Sequence, residues 1–222
     1  MSMQHLWDQV EQYSREHFVR PDDALEFVLR EQSAHGLPEI QVTPLEGKLL
    51  QMQVRLMQAR QVLEIGTLGG YSAILLARAL PDDGRVTTLE VDAKHAAAAR
   101  RAFAHAGFSH KIELREGAAL ETLPLLKQAG RVYDFVFIDA DKENNVHYVK
   151  WALELTRPGA LIVVDNVIRD GDVINPDSTS PMTQGVRRMN EYLKGEPRLD
   201  VTTIQTVGAK GYDGMTFILV QA

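Results

Sequence analysis

The chain has 222 residues, 45% hydrophobic and 24% charged, with a formal net charge of −6, the balance of a globular domain with a well-buried core. It contains no cysteine, which excludes disulfides, thiolate metal ligands and a cysteine nucleophile. The acidic balance offers nucleic acid no general attraction, and no apolar run approaches the ~20 residues that span a bilayer. Met1 to Trp7 has neither the basic start nor the apolar core of a signal peptide. The expectation is therefore one cytoplasmic domain over 1–222 without membrane association, with a helical cap over 1–58 and an α/β core over 59–222.

Residues 3–35 predict two helices broken at Arg20-Pro21-Asp22-Asp23, with Asp22 or Asp23 capping the second. Gly36-Leu37-Pro38 ends that helix. Gln41-Val42-Thr43-Pro44 reads as extended, because the proline disfavours helical angles at Thr43, and helical spacing resumes from Leu45 to Met57. The stretch Val62-Leu-Glu-Ile-Gly-Thr-Leu-Gly-Gly-Tyr-Ser72 then gives a short apolar strand, a glycine turn and the start of a helix running to Leu80. Its glycines do not follow G-x-G-x-x-G, since Leu68 stands at the second position, so a dinucleotide pyrophosphate is disfavoured. Glu64 in the strand would repel a phosphate but could hold an ammonium group.

Arg85 to Val91 is a second strand carrying Glu90, where an acid in a βαβ unit commonly meets a ribose diol. An alanine-rich helix follows from Ala93 to Ala106, closed by Gly107, then a strand from Lys111 to Glu116. Gly117-Ala118-Ala119 turns into a helix ending near Gln128. Tyr133 to Asp139 is almost continuously apolar, as a central parallel strand should be. The spacing next predicts a helix from Asn145 to Leu155, a turn at Arg157-Pro158-Gly159, and a strand from Ala160 to Val164 that leads into Asp165-Asn166. A loop over Asp170 to Ser180 and a helix from Thr183 to Leu193 precede two closing strands, Asp200–Val207 and Met215–Val220, joined through Gly208 to Gly214. A hairpin there gives a sheet that is parallel in its centre and antiparallel at one edge. Glu64, Glu90, Asp139 and Asp165 all fall towards the carboxyl ends of predicted parallel strands, the edge where open α/β sheets bind ligands.

Three segments in this order, Val62 to Ser72, Phe137-Ile-Asp-Ala-Asp-Lys142 and Val163-Val-Asp-Asn166, resemble the caffeoyl-CoA and catechol O-methyltransferase family of class I S-adenosylmethionine-dependent enzymes. The similarity runs from about Tyr13 to Gly214. It implies a Rossmann-like, mostly parallel sheet of seven strands in the order 3-2-1-4-5-7-6, with helices on both faces, extra N-terminal helices and a homodimeric assembly. It assigns Val42 and Thr43 to the wall of the S-adenosyl-L-methionine site and Glu64 to the methionine end. Gly66, Gly70 and Ser72 fall in the loop around the cofactor, Glu90 at the ribose, Gly117 and Ala118 at the adenine, and Asp139 near the methionine amino group. Ala119 departs from the serine often found there.

By the same resemblance Asp139, Asp165 and Asn166 are ligands of a divalent cation; three hard oxygen donors suit Mg²⁺, with Ca²⁺ or Mn²⁺ also acceptable. Lys142 matches the catalytic lysine, and a neighbouring dication would weaken its hold on its proton. The implied acceptor is a small vicinal dihydroxy aromatic of catechol or caffeoyl type. A hydroxyuridine of tRNA is an alternative acceptor, and a cofactor-binding protein without methylation activity an alternative function. Tyr148, Trp151 and Tyr212 are candidates to stack on an aromatic acceptor, and His147 to line its pocket, although packing for Trp151 and exposure for His147 are the simpler expectations.

Overall fold

The computed structural model describes residues 2–221. Three helices precede the sheet: α1 (Met3–Phe18), α2 (Asp23–Ala34) and α3 (Pro44–Leu56). The break before α2 falls at Pro21, and the Asp22 side chain accepts from Leu25 N to cap the helix. Thr43 is extended (φ −65°, ψ 159°) and caps α3 through a reciprocal capping box with Glu46, which satisfies backbone donors that the helix itself cannot. Leu25 and Val28 of α2 and Leu50 and Val54 of α3 enter the hydrophobic core, whereas α1 buries no side chain.

The core then alternates β1 (Gln61–Ile65), α4 (Tyr71–Ala79), β2 (Arg85–Glu90), α5 (Ala93–His105), β3 (Ile112–Glu116), α6 (Ala119–Gln128), β4 (Tyr133–Ile138), α7 (Asn145–Glu154) and β5 (Thr156–Asp165). It closes with α8 (Pro181–Lys194), β6 (Leu199–Gly208) and β7 (Gly211–Val220). The seven strands lie in the order β3-β2-β1-β4-β5-β7-β6. The first five pair in parallel, and β7 runs antiparallel to both of its neighbours. Successive side chains of a strand face opposite sides, so Val62, Phe135, Phe137 and Val163 pack in one layer while Leu63, Val136, Ile138 and Ile162 pack in the other. Both faces are covered, which is why the central strands are apolar throughout. With the sheet fixed in this way, the carboxyl ends of β1, β2, β4 and β5 share one edge.

Three details differ from the sequence reading. Arg157-Pro158-Gly159 is not a turn but part of β5: the register steps from Tyr133↔Thr156 to Phe135↔Leu161, so the surplus residues bulge outward, with Gly159 at φ +88°. A bulge is one of the few places where a strand tolerates proline. The closing hairpin is tighter than expected, pairing Gly208 with Gly211 across Ala209-Lys210. The expected strand order itself is found, with the antiparallel β7 between β5 and the edge strand β6. Short 3-10 turns at Lys142–Asn144 and Asp172–Ile174 were not foreseen, being too brief to show a period.

Replacing Thr43 by alanine removes the capping box and should cost about 1 kcal/mol in urea unfolding. Thr43→Ser, which keeps the hydroxyl, should unfold close to the original protein.

Candidate active site

Gly66 is the pivot of the ligand edge. Its N–H donates to Leu89 O (3.0 Å) while Asp139 N donates to Ile65 O (2.9 Å), so the chain leaving β1 runs between the ends of β2 and β4. A Cβ at Gly66 would lie 2.1 Å from the Asp139 carbonyl oxygen, and φ there is +99°. Only glycine fits both conditions. The loop continues through Leu68 (φ +50°) to Gly70 (φ +89°), where any Cβ would press on Phe103.

Glu90, at the end of β2, holds this loop in shape. Its Oε2 accepts from Thr67 N (3.2 Å) and Leu68 N (2.8 Å), and its Oε1 from Asp92 N (2.9 Å). A carboxylate has about four lone-pair sites, so one site, on Oε1, remains open to a ligand hydroxyl. Beneath the loop Glu64 is fully buried. Thr88 Oγ1 donates to Glu64 Oε2 (2.5 Å) and also meets Thr67 Oγ1 (2.5 Å); the Ser72 hydroxyl lies against the same carboxyl. The other oxygen, Oε1, is buried with no hydrogen-bond partner. Burial pushes the Glu64 carboxyl up to about 8, opposed by the Ser72 and Thr88 hydroxyls and reinforced by Asp139 and Glu90. A ligand cation beside Oε1 would reverse that displacement.

The ends of β4 and β5 carry the second half of the site. Lys142, 5% exposed, donates from Nζ to Asp139 Oδ1 (2.7 Å). Its 3-10 turn is locked by α8, since a Cβ on Gly185 would lie 2.1 Å from the Lys142 carbonyl oxygen. Asp165, 4% exposed, accepts from Asn166 N through Oδ1 (2.7 Å), and Asn166 has φ +56°. Burial holds the Asp165 carboxyl well above the usual carboxylate range, with Asp139 and Glu46 pushing the same way and Lys142 opposing. Among the described residues no three His, Cys, Asp or Glu side chains gather as a metal cluster; the donor set is two carboxylates and one amide. That set would suit a hard dication, because the Asp139, Asp165 and Glu46 carboxylates outnumber the two ammonium groups near them, Lys142 and Lys210.

A cavity of about 950 Å³ joins the two halves. Val42, Gly66, Ser72 and Glu90 line one end with Gly117 and Ala118, and Asp139, Lys142 and Asn166 line the other. Thr43, Glu64, Gly70 and Asp165 stand behind this wall, Thr43 as the cap of α3. Sequence reasoning missed His95, 3.6 Å from Glu90 Oε1, and Arg169 and Met182, which meet each other at 3.4 Å on the cavity wall. It also missed the proximity of Glu46 to Asp165, for which the only available signal was the capping box. Tyr148 lines the cavity and its hydroxyl donates to Asp141. Tyr212 instead bonds Gln205, Trp151 packs on the core and His147 is exposed.

The model of a family described as O-methyltransferase matches residues 15–220. Catechol O-methyltransferase of Niastella koreensis is 45% identical over 97% of this chain and 98% of its own length, and that of Mycobacterium tuberculosis is 49% identical over 91% of each. The O-methyltransferase of Bacillus cereus, solved in complex with SAH, superposes with a TM-score of 0.97 at 46% identity, covering 99% of this chain and 100% of that one. Fold and relatives together define a class I S-adenosylmethionine-dependent methyltransferase. Within that class the chain belongs to the O-methyltransferase family.

The Glu64 environment has a consequence for stability. A folded value of about 8 above an ordinary 4.5 means that the native state keeps a proton that the unfolded chain loses between those limits. Stability from this source therefore falls as pH rises from about 4.5 to about 8. Glu64→Gln, which cannot titrate, should lose less thermal stability than the original protein between pH 5 and pH 8. Parallel pH profiles for the two proteins would overturn the assignment.

Proposed function

We propose that this chain is a divalent-metal-dependent O-methyltransferase that moves the methyl group of S-adenosyl-L-methionine to one hydroxyl of a small vicinal dihydroxy aromatic, of catechol or caffeoyl type. The observation that carries this reading is the shared cavity, with Glu90 and the glycine loop at one end and Lys142, Asp139 and Asn166 at the other. The names of the relatives support the acceptor class. The acidic charge and the cavity's size favour a small acceptor over a tRNA base.

In this reading Glu64 and Asp139 receive the methionine ammonium. The first turn of α4, where Gly70 supplies no side-chain cap, offers free N–H groups to the methionine carboxylate. Glu90 takes the ribose diol, Gly117 and Ala118 flank the adenine, and Val42 closes the wall. Asp139, Asp165 and Asn166 would hold the cation, Mg²⁺ by preference. When bound, the ion acidifies an acceptor hydroxyl and restrains its orientation. Lys142 accepts the hydroxyl proton, its amine held in place by Asp139 and by burial. The acceptor oxygen then forms its bond to the methyl carbon as the carbon–sulfur bond breaks, with no covalent enzyme intermediate. Tyr148 and Met182 form part of the wall at the acceptor end.

The protein is further read as one cytoplasmic domain that pairs with a second copy. Met3, Leu6, Val10 and Tyr13 are 45–62% exposed along one stripe of α1, and α1 is bound to the β6–β7 hairpin through Gln4 Nε2 and Gly208 O (2.8 Å). Val201, Ile204 and Val207 on the adjoining edge strand are also exposed. Exposed apolar side chains on both elements, Val201 and Val207 on one face of the strand and Ile204 on the other, favour association.

Labelled methyl transfer from S-adenosylmethionine to a catechol panel tests the chemistry. Chelation and Asp165→Ala should each abolish most turnover, and Lys142→Met should lower it by roughly 10²–10⁴-fold at unchanged SAH affinity. Turnover indifferent to chelation overturns the metal requirement; a cofactor-loaded protein that methylates no catechol overturns the acceptor class. Light scattering should give twice the chain mass for the original protein and the single-chain mass for Val10→Glu. A monomeric original protein would refute the pairing.

A further inference from the structure

The segment that follows β5 has an unusual backbone. Asn166 (φ +56°), Arg169 (+58°), Asp170 (+54°) and Gly171 (+83°) all adopt left-handed angles within six residues. Non-glycine residues adopt that region uncommonly, and it persists where the surroundings over-determine it. The over-determination comes from the start of β7. Asp213 Oδ1 accepts from Ile168 N (2.9 Å), Arg169 N (3.1 Å) and Gly214 N (2.9 Å). Its Oδ2 lies 3.9 Å from the Arg169 guanidinium. The flanking carbonyls complete the grip: Val167 N donates to Gly214 O (3.1 Å) and Asp170 N to Tyr212 O (3.0 Å). Gly214 adds close packing, since a Cβ there would lie 2.7 Å from Ile168 Cγ1.

Both ends of the gripped segment reach the cavity, through Asn166 and Arg169, while Asp213 does not line it. We propose that Asp213 is a positioning residue whose carboxylate holds the 166–171 segment in its left-handed form, and thereby sets Asn166 for the cation and Arg169 for the acceptor wall. The proposal rests on the metal site proposed above. It extends that site to a residue 47 positions beyond Asn166 in the chain, joined to the segment through the Ile168 and Arg169 amides and the Arg169 guanidinium. A neutral amide oxygen at 213 can accept the same three N–H bonds less strongly, and a methyl group can accept none.

The test separates this role from ordinary scaffolding by measuring two affinities on the same protein. Mn²⁺ binding is followed by the electron paramagnetic resonance signal of the free ion, in protein saturated with SAH, and SAH binding by calorimetry. Asp213→Ala should weaken Mn²⁺ by about 10–100-fold, the range for groups that orient metal ligands, with SAH affinity unchanged within about twofold. Asp213→Asn should fall between the original protein and the alanine variant. Adding Asp170→Gly to Asp213→Ala lowers the conformational demand on the segment and should recover part of the Mn²⁺ affinity. Unaltered Mn²⁺ affinity in Asp213→Ala overturns the positioning role, and so does an equal loss of metal and cofactor binding. If the alanine variant does not fold, Asp213→Asn reads the same split: weaker Mn²⁺ at constant SAH supports the role, while loss of both or of neither overturns it. An original protein that binds no Mn²⁺ overturns the metal site itself, an outcome distinct from each of these.

Discussion

Carboxylates gathered at one edge of a parallel sheet and partly withdrawn from water are the constraint on which this structure turns. Glu64 and Asp165 are almost wholly buried, and each is held in the proton-bound direction by desolvation and by acidic neighbours. Removing charge from water is costly unless a partner compensates. Here the compensation inside the chain is partial: hydroxyls for Glu64, and for Asp165 and Asp139 one backbone amide with the Lys142 and Lys210 ammonium groups nearby, offset in turn by Glu46. The edge is therefore electrically incomplete, and in the proposed reading cations of two different kinds, an organic ammonium and a metal ion, would answer that incompleteness at its two ends.

The scaffold bears this charge because it is rigid around it. Each central strand inserts alternate side chains into two separate apolar layers, so a slip of one residue would exchange the layers and carry the acids off the edge. The helices preceding β1 join the same packing: α2 and α3 share the core with α4 and α5. The capping box of α3 also brings Glu46 close enough to influence Asp165. A local device for ending a helix thus becomes part of the electrostatics of a site more than a hundred residues further along the chain.

The strands, the glycine turn and the acids at strand ends were legible in the sequence because each depends on local chemistry: alternation, apolar runs, and an acid where a strand stops. The order of the seven strands and the roles of individual side chains came through resemblance rather than from spacing. What stayed hidden depends on distant partners. The bulge at Arg157–Gly159 exists because β4 offers too few residues to pair with, and the three-residue turn of Lys142 is set by Gly185 of α8. The turn signals at Gly208 and Gly214 were real, but only pairing with β6 decides that the chain reverses at Ala209-Lys210. Likewise Arg169, Met182 and His95 carry no pattern of their own, and they face the cavity because the loop after β5 and the first turns of α8 and α5 open onto it.

The grip of Glu90 on the glycine loop has a further consequence. Thr67 N, Leu68 N and Asp92 N are satisfied by Glu90 within the chain itself, so in the proposed reading the nucleoside end takes its shape from the protein rather than from its ligand. Adenine and ribose are identical before and after methyl transfer, and a loop shaped in advance greets fresh and spent cofactor alike. Preference for one over the other has to arise where they differ, at the sulfur and its charge, which the proposed reading sets towards Asp139 and Lys142.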